Sequence, residues 1–316
     1  MSVLPEQPPQ SPSVGIMLKL ASVAVFMAMA TLIKIVSHEV PPGEVVFFRS
    51  AFATPVILIW LAGTGTLRTG LVTRNYLGHV WRGLAGTAAM GFGFAGLGLL
   101  PLPEVTAIGY AAPLLTVVFA AMFLGEQVRA FRIMAVALGM TGVLIILSPR
   151  LQAISANGVG ASEALGAMVV LVGAVFAALA QVFVRRLVSE ESTTAIVFYF
   201  SINAAILSLV TLPFGWHWPV PSTLALLILA GLLGGVGQVL LTSAYRHADA
   251  SVVAPFEYGS MVLSLAIGYI GFGETPNRVV LGGASLVVLA GIVIIWRERQ
   301  LGLERARQRQ SMSPQG

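Results

Sequence analysis

Ten runs of about 20 apolar residues leave this chain one solvent in which it can fold. With boundaries good to a few residues, the runs are 15–36, 43–62, 81–100, 103–123, 131–148, 164–186, 194–213, 222–243, 250–271 and 279–296. A helix rises about 1.5 Å per residue, so roughly 20 apolar residues cross the hydrocarbon core of a bilayer. Hydrophobic residues make up 57% of the 316 and charged residues only 10%, with a mean hydropathy of +0.89. A typical soluble domain is about 25% charged, and its core could not hide this much apolar surface. A closed β-barrel would need shorter segments alternating apolar and polar residues, whereas these runs are continuous. The expected fold is therefore an all-α membrane protein with ten transmembrane helices. The connections are short, and Pro41-Pro42-Gly43, Pro101-Leu102-Pro103 and Glu274-Thr275-Pro276 punctuate them as turns.

Charge placement orients the bundle. The amino tail, the connections after helices 2, 4, 6 and 8 and the carboxyl tail hold Arg68, Arg74, Arg82, Arg129, Arg132, Arg185, Arg186, Arg246 and the five arginines from Arg297 onward. The other side holds Arg150 and Arg278. Cytoplasmic loops carry the excess of Lys and Arg, so both termini are expected in the cytoplasm and the protein in the inner membrane. The net charge of +5 then belongs beside the lipid bilayer, and nucleic acid is not an expected partner. With no cysteine, thiolate metal sites and disulfides are excluded. His38, His79, His217 and His247 all fall in or beside expected loops, which argues against an intramembrane histidine metal centre. No metal or cofactor is expected.

The chain also repeats itself. Leu124-Gly125-Glu126 returns as Phe272-Gly273-Glu274, 148 residues later, and Gly83/Gly231, Gly86/Gly234 and Tyr110/Tyr258 share that offset. Upstream the offset is 151, with Gly15/Gly166, Met17/Met168, Phe47/Phe198 and Ser50/Ser201 in register. Five helices per half is an odd number, so the second half should enter from the opposite face as an inverted-topology repeat. Transporters place their substrate where such halves meet. The expected layout is a disordered proline-rich tail at 1–13, repeat 1 over 15–148, a periplasmic linker at 149–163, repeat 2 over 164–296 and a basic cytoplasmic tail at 297–316.

The stretch from Ala107 through Tyr110, Pro113 and Leu124-Gly125-Glu126, followed by a helix ending Gly142-Val-Leu-Ile-Ile-Leu147, resembles the EamA repeat of the drug/metabolite transporter superfamily. The second copy, from Ala254-Pro255-Phe256-Glu257-Tyr258 through Phe272-Gly273-Glu274 to Gly291-Ile-Val-Ile-Ile295, is similar to the same pattern. The resemblance covers roughly residues 15–296. It implies a ten-helix inner-membrane carrier of small metabolites, often amino acids or related solutes. Phe47-Phe48-Arg49-Ser50 and Ala254–Tyr258 look most like branches labelled for S-adenosylmethionine or riboflavin uptake.

Few residues inside the spans can carry chemistry. Glu257 is the acid placed well inside a helix, about seven residues past its start and roughly 10 Å deep. Ser260 and Ser264 share its face, so it should look into a cavity. It can serve as a substrate ligand, a proton carrier or a structural ion pair. Arg49, about six residues into helix 2, has a planar fork suited to a carboxylate or phosphate. It can also snorkel to headgroups or pair with Glu257. Lys19 and Lys34 read as snorkelling anchors, with a pore-facing role open for Lys34. Thr106, Tyr110 and Pro113 share one face of helix 4, and Pro255 and Tyr258 flank Glu257. Gln181, Gln238 and Asn203 are either substrate hydrogen-bond partners or interhelical glue. Glu126 and Glu274 read as helix-end braces. Gly91-Phe-Gly-Phe-Ala-Gly96 spells GxGxxG, but it follows no strand and lies inside an apolar span, which excludes a nucleotide loop.

The function these residues imply is secondary transport of a small polar or zwitterionic metabolite by alternating access. Proton coupling through Glu257 and uncoupled facilitated diffusion are both open, and a homodimer is compatible with the chain. The alternative cargo is S-adenosylmethionine or a riboflavin-like cofactor. An integral-membrane enzyme would need convergent catalytic groups, and His38/Glu39 and His247/Asp249 are too sparse to supply them. A passive channel is the remaining competitor.

Overall fold

The computed structural model describes residues 11–125, 130–157, 161–188, 190–248 and 250–312. Among these every regular element is helical: α1 (Pro12–Val36), α2 (Pro42–Gly63), α3 (Leu67–Gly70), α4 (Tyr76–Leu99), α5 (Leu102–Gly109), α6 (Ala111–Leu124), α7 (Ala130–Asn157), α8 (Ala161–Leu187), α9 (Thr193–Ser208), α10 (Pro221–His247), α11 (Ala250–Val253), α12 (Gly259–Phe272) and α13 (Arg278–Met312), with 3-10 turns at Leu209–Thr211 and Ala254–Tyr258. Eight stretches among the described residues are long and apolar enough to cross a membrane. The two expected spans outside that set are informative. α4 has the length, but Arg82 and its glycines dilute its apolarity. The run 250–271 is broken into α11, a 3-10 turn and α12.

That break has a counterpart. The expected helix 103–123 divides at Tyr110 into α5 and α6, because Pro113 has no N–H to offer the Gly109 carbonyl. Pro255 likewise interrupts the ladder before Tyr258. Tyr110 and Tyr258 stand 148 residues apart, so each repeat carries a discontinuous helix at the same place. Both broken helices end alike, with Gly125 at φ 66° and Gly273 at φ 65°. This left-handed cap is open to glycine without a Cβ penalty.

Other boundaries differ from the sequence expectation. α1 begins at Pro12, and residues 1–10 of the expected tail lie outside the described residues, as does Glu126. α7 runs through Pro149 to Asn157 and α8 starts at Ala161, so most of the expected linker is helix. α13 continues through Arg297 to Met312. α4 starts five residues early, which takes His79 out of the loop and into the helix and sets Arg82, counted with the connection by its charge, well inside it.

Two hydrogen bonds repeat across the halves. Asn75 Nδ2 donates to Glu190 at 2.8 Å and Thr223 Oγ1 donates to Glu39 at 2.7 Å. Residues 39 and 190 are 151 apart and residues 75 and 223 are 148 apart, the two offsets of the duplication. Lys34, near the end of α1, donates to the carbonyl of Leu97, near the end of α4. Asn75, just before α4, therefore sits at the opposite end of the bundle from Glu39.

At the Asn75 end, Glu191 ties the α3–α4 connection to the α8–α9 connection. Its Oε1 accepts from the Arg74 N–H at 2.7 Å, the Asn75 N–H at 2.9 Å and Thr73 Oγ1 at 2.8 Å. Burial alone would push this carboxyl up, but these donors, with His79 beside it, hold it below its ordinary value. The stability it contributes is present above the unfolded value of about 4.3 and is lost as pH falls through the depressed folded value. Thermal unfolding from pH 3 to 7 should show an acid-side fall in Tm that Glu191→Gln flattens. At neutral pH that variant should cost about 1.5–3 kcal/mol, the range for hydrogen bonds to a charged group.

Candidate functional site

A cavity of about 630 Å³ opens between the two broken helices and α1, α8 and α10. That volume lies within the range of small-molecule sites, roughly 300–1,000 Å³. Its polar lining comes from Tyr110 and Tyr258 at the two breaks, which the duplication makes equivalent, from Thr106 and Gln181 on the walls, and from the ion pair of Lys19 with Glu257. The Tyr110 hydroxyl shares a 2.5 Å hydrogen bond with Ser260, and the two tyrosine rings meet edge to face at 5.0 Å. Pro113 also lines the cavity.

The 3-10 turn at Ala254–Tyr258 sets Glu257 on the cavity wall with its side chain 49% exposed, while the Lys19 side chain paired with it is 3% exposed. Lys19 is thus a cavity residue, and the expectation of a snorkelling anchor is corrected. An ammonium this enclosed is costly to leave without a counter-charge, which explains the pair. Tyr245 adds its ring 6.0 Å from the Lys19 ammonium, and Arg185 joins the lining. Sequence reasoning missed Lys19, Arg185 and Tyr245 as cavity residues. The available signal was two opposite charges, on helices 1 and 9, at similar depth from one face.

Gln238 stands outside the lining, with its backbone carbonyl accepting from Thr242 Oγ1 at 2.9 Å. Asn203 joins α9 to α4, donating to the His79 carbonyl at 3.0 Å. Ser264, expected on the Glu257 face, bonds the Met261 carbonyl at 2.9 Å within α12.

Arg49 is neither at the surface nor with Glu257. It is 6% exposed, between α2, α9 and α10, with its guanidinium 5.9 Å from the Phe200 ring. Arg82 reaches the same ring at 3.8 Å. No acid among the described residues pairs with either arginine, and Arg49 Nε and Arg82 Nε and Nη1 have no hydrogen-bond partner. Stacking of a cation on an aromatic ring is worth about 0.5–2 kcal/mol, against several kcal/mol to desolvate each ion. The ring does not offset the burial.

On α1 the cavity lining runs from Lys19 to Met27, towards the end of the bundle where α1 begins. The far end of the bundle carries buried ionic contacts. Lys34 Nζ donates to the carbonyls of Leu97 at 3.2 Å and Leu100 at 2.7 Å and pairs with Glu274 at 2.9 Å. Glu274 in turn accepts from the Leu102 N–H at 2.8 Å. Lys34 is 9% exposed, so its expected anchoring role is corrected to that of a buried clasp. Beside it Arg150 holds Glu104 through Nε at 3.1 Å and Nη2 at 2.7 Å, and also pairs with Glu163. Among the described residues no group of three His, Cys, Asp or Glu is placed to hold a metal ion.

Helices long and apolar enough to cross a membrane, with two equivalent broken helices facing a shared cavity, form the kind of architecture that multi-pass transporters use. The chain belongs to the EamA-like transporter family, whose model matches residues 13–148 and 164–297. It is a secondary transporter of that family rather than an enzyme. It is 31% identical to the pseudopaline exporter of Pseudomonas aeruginosa, over 89% of this chain and 95% of the exporter. It is 28% identical to the S-adenosylmethionine uptake transporter of Rickettsia bellii, over 91% and 95%, and 30% identical to the riboflavin transporter of Rhizobium johnstonii, over 82% of each. A solved crystal structure shares the fold with a TM-score of 0.63 at 21% identity, covering 92% of this chain and 99% of that one.

Proposed function

We propose that the protein carries a small zwitterionic metabolite across the inner membrane by alternating access between two inverted five-helix repeats. The observation that carries this reading is the Lys19–Glu257 pair on the cavity wall beside Tyr110 and Tyr258. A cargo ammonium can replace Lys19 at Glu257 while the cargo carboxylate takes the released Lys19. Charge then stays balanced at every stage, which a site in low dielectric requires. Gln181 and the tyrosine hydroxyls supply the directional hydrogen bonds, and the rings supply an apolar floor.

The ten apolar runs support ten crossings, the arginine distribution supports cytoplasmic termini, and the repeated contacts Asn75–Glu190 and Thr223–Glu39 at opposite ends support the inverted arrangement. On that orientation the cavity faces the cytoplasm and the Lys34–Glu274 clasp closes the periplasmic side. The relatives' names span export and uptake, so direction follows from the gradients applied.

The test is counterflow in proteoliposomes with labelled amino acids, S-adenosylmethionine and riboflavin as separate cargoes, each with and without a proton gradient. Saturable flux, accelerated by unlabelled cargo on the far side, is expected for an amine-carboxylate cargo. Flux that neither saturates nor responds to trans cargo would indicate a channel and overturn the carrier reading. Because Lys19 already neutralises Glu257, a bound proton is not needed to bury the acid, and equal rates with and without the gradient are expected.

A further inference from the structure

We propose that Arg49 and Arg82 form an anion site, separate from the Glu257 cavity, that takes a single carboxylate or phosphate group. The proposal goes beyond the cavity reading and stands whether or not cargo binds at Glu257. Three observations carry it. First, both guanidiniums lie against one ring, Phe200, so their carbons are no further apart than those two ring distances together. Two like charges within that span in a low-dielectric setting repel, and an anion reached by both would relieve the repulsion.

Second, buried polar groups on α2 and α4 are left without partners. Arg49 Nε, Arg82 Nε and Nη1, Ser50 Oγ and Thr87 Oγ1 are all sealed from solvent without a hydrogen-bond partner. Buried polar groups are nearly always paired, and a bound anion would supply the acceptors these guanidinium nitrogens lack. Glu44, the acid nearest Arg49 along α2, is not within ion-pair distance of it, and its own Oε2 is also unpaired. Arginine forks match carboxylate and phosphate oxygens two at a time.

Third, the backbone is cut away to admit the guanidiniums. A Cβ on Gly86 would stand 2.1 Å from Arg82 Nη1 and 2.6 Å from the Phe200 ring, and one on Gly234 would stand 3.1 Å from Arg49 Nε. Gly86 and Gly234 are equivalent under the 148-residue offset, and Arg49 and Phe200 under the 151-residue offset. The duplication thus sets Gly86 against Phe200 and Gly234 against Arg49. One half kept an aromatic ring and the other holds a cation, which turns a packing contact into a charged one.

The anion can come from a solute or from an anionic lipid headgroup, and two arms separate them. The purified full chain in an uncharged detergent is titrated with inorganic phosphate at constant ionic strength, chloride making up the balance, and separately with phosphatidylglycerol against phosphatidylcholine. A saturable rise in Tm is expected with phosphate, or with phosphatidylglycerol alone if the headgroup is the source. Arg49→Gln and Arg82→Gln should each weaken the apparent affinity at least tenfold, and Arg246→Gln, whose guanidinium lies over Trp60, should leave it unchanged. Should either variant fail to fold, native mass spectrometry of the wild type decides, since a retained phosphate or phosphatidylglycerol adduct is expected. No saturable response and no adduct with either probe, or a response unchanged in folded Arg49→Gln and Arg82→Gln, overturns the site.

Discussion

Glu257→Gln is expected to lower counterflow at least tenfold while leaving a folded protein. Tenfold corresponds to about 1.4 kcal/mol, less than the cost of breaking a buried ion pair from one side, about 3–5 kcal/mol. The Glu257 side chain is 49% exposed to the cavity and Lys19 only 3%. The loss therefore falls mainly on the enclosed ammonium, and Tm should drop as well. That double effect is ambiguous by itself, because a purely structural pair would also lower both. Lys19→Met combined with Glu257→Gln separates the readings: with both charges gone no buried ion is stranded, so Tm should recover towards wild type. Counterflow should stay low, because the groups that exchange partners with the cargo are absent. A double variant that regains both Tm and flux would make the pair a structural contact and remove it from the site.

The helices were legible in the sequence because length and apolarity define a membrane span without reference to tertiary contacts. Repetition was legible because both copies kept their Gly-Glu helix ends and their tyrosines at one offset. The breaks at Tyr110 and Tyr258 were half legible. Pro113 and Pro255 marked where a carbonyl loses its donor, but a proline in a span can also produce a mild bend, and neighbouring packing decides between them. Lys19 and Lys34 were misread for a physical reason. A lysine one or two turns from a helix end can reach headgroups if its face meets lipid or stay buried if its face meets another helix, and the sequence does not fix the rotation. Arg82 was counted with the cytoplasmic connection because it stands at the edge of the run that begins at Trp81, whereas α4 begins at Tyr76 and carries it inward. The Arg49–Arg82 cluster depends on α2, α4 and α9 meeting at Phe200, a contact that no local pattern encodes.

Lys34→Met is expected to open the far end of the cavity. The clasp joins four elements through one ammonium: α1 carries it, the carbonyls of Leu97 and Leu100 at the end of α4 accept from it, and Glu274 after α12 pairs with it while accepting from the Leu102 N–H of α5. Methionine keeps the length and the contact with Phe272, whose ring lies 5.4 Å from the ammonium, and removes the charge and all three donors. Glu274 is then left with a single backbone donor in a place where its side chain is 14% exposed. The closed arrangement loses stability relative to any arrangement in which that end hydrates. The chain has no cysteine, so Thr106→Cys, on the cavity wall, gives one reactive thiol. In oriented vesicles a membrane-impermeant maleimide should label it from the face where α1 begins and hardly at all from the other. Adding Lys34→Met should raise labelling from the closed face at least tenfold, and Glu274→Gln should do the same by removing the partner. One-sided labelling that persists in both folded variants would show that the closure rests on the apolar packing of α1, α4 and α5, with Lys34 as its ornament rather than its lock.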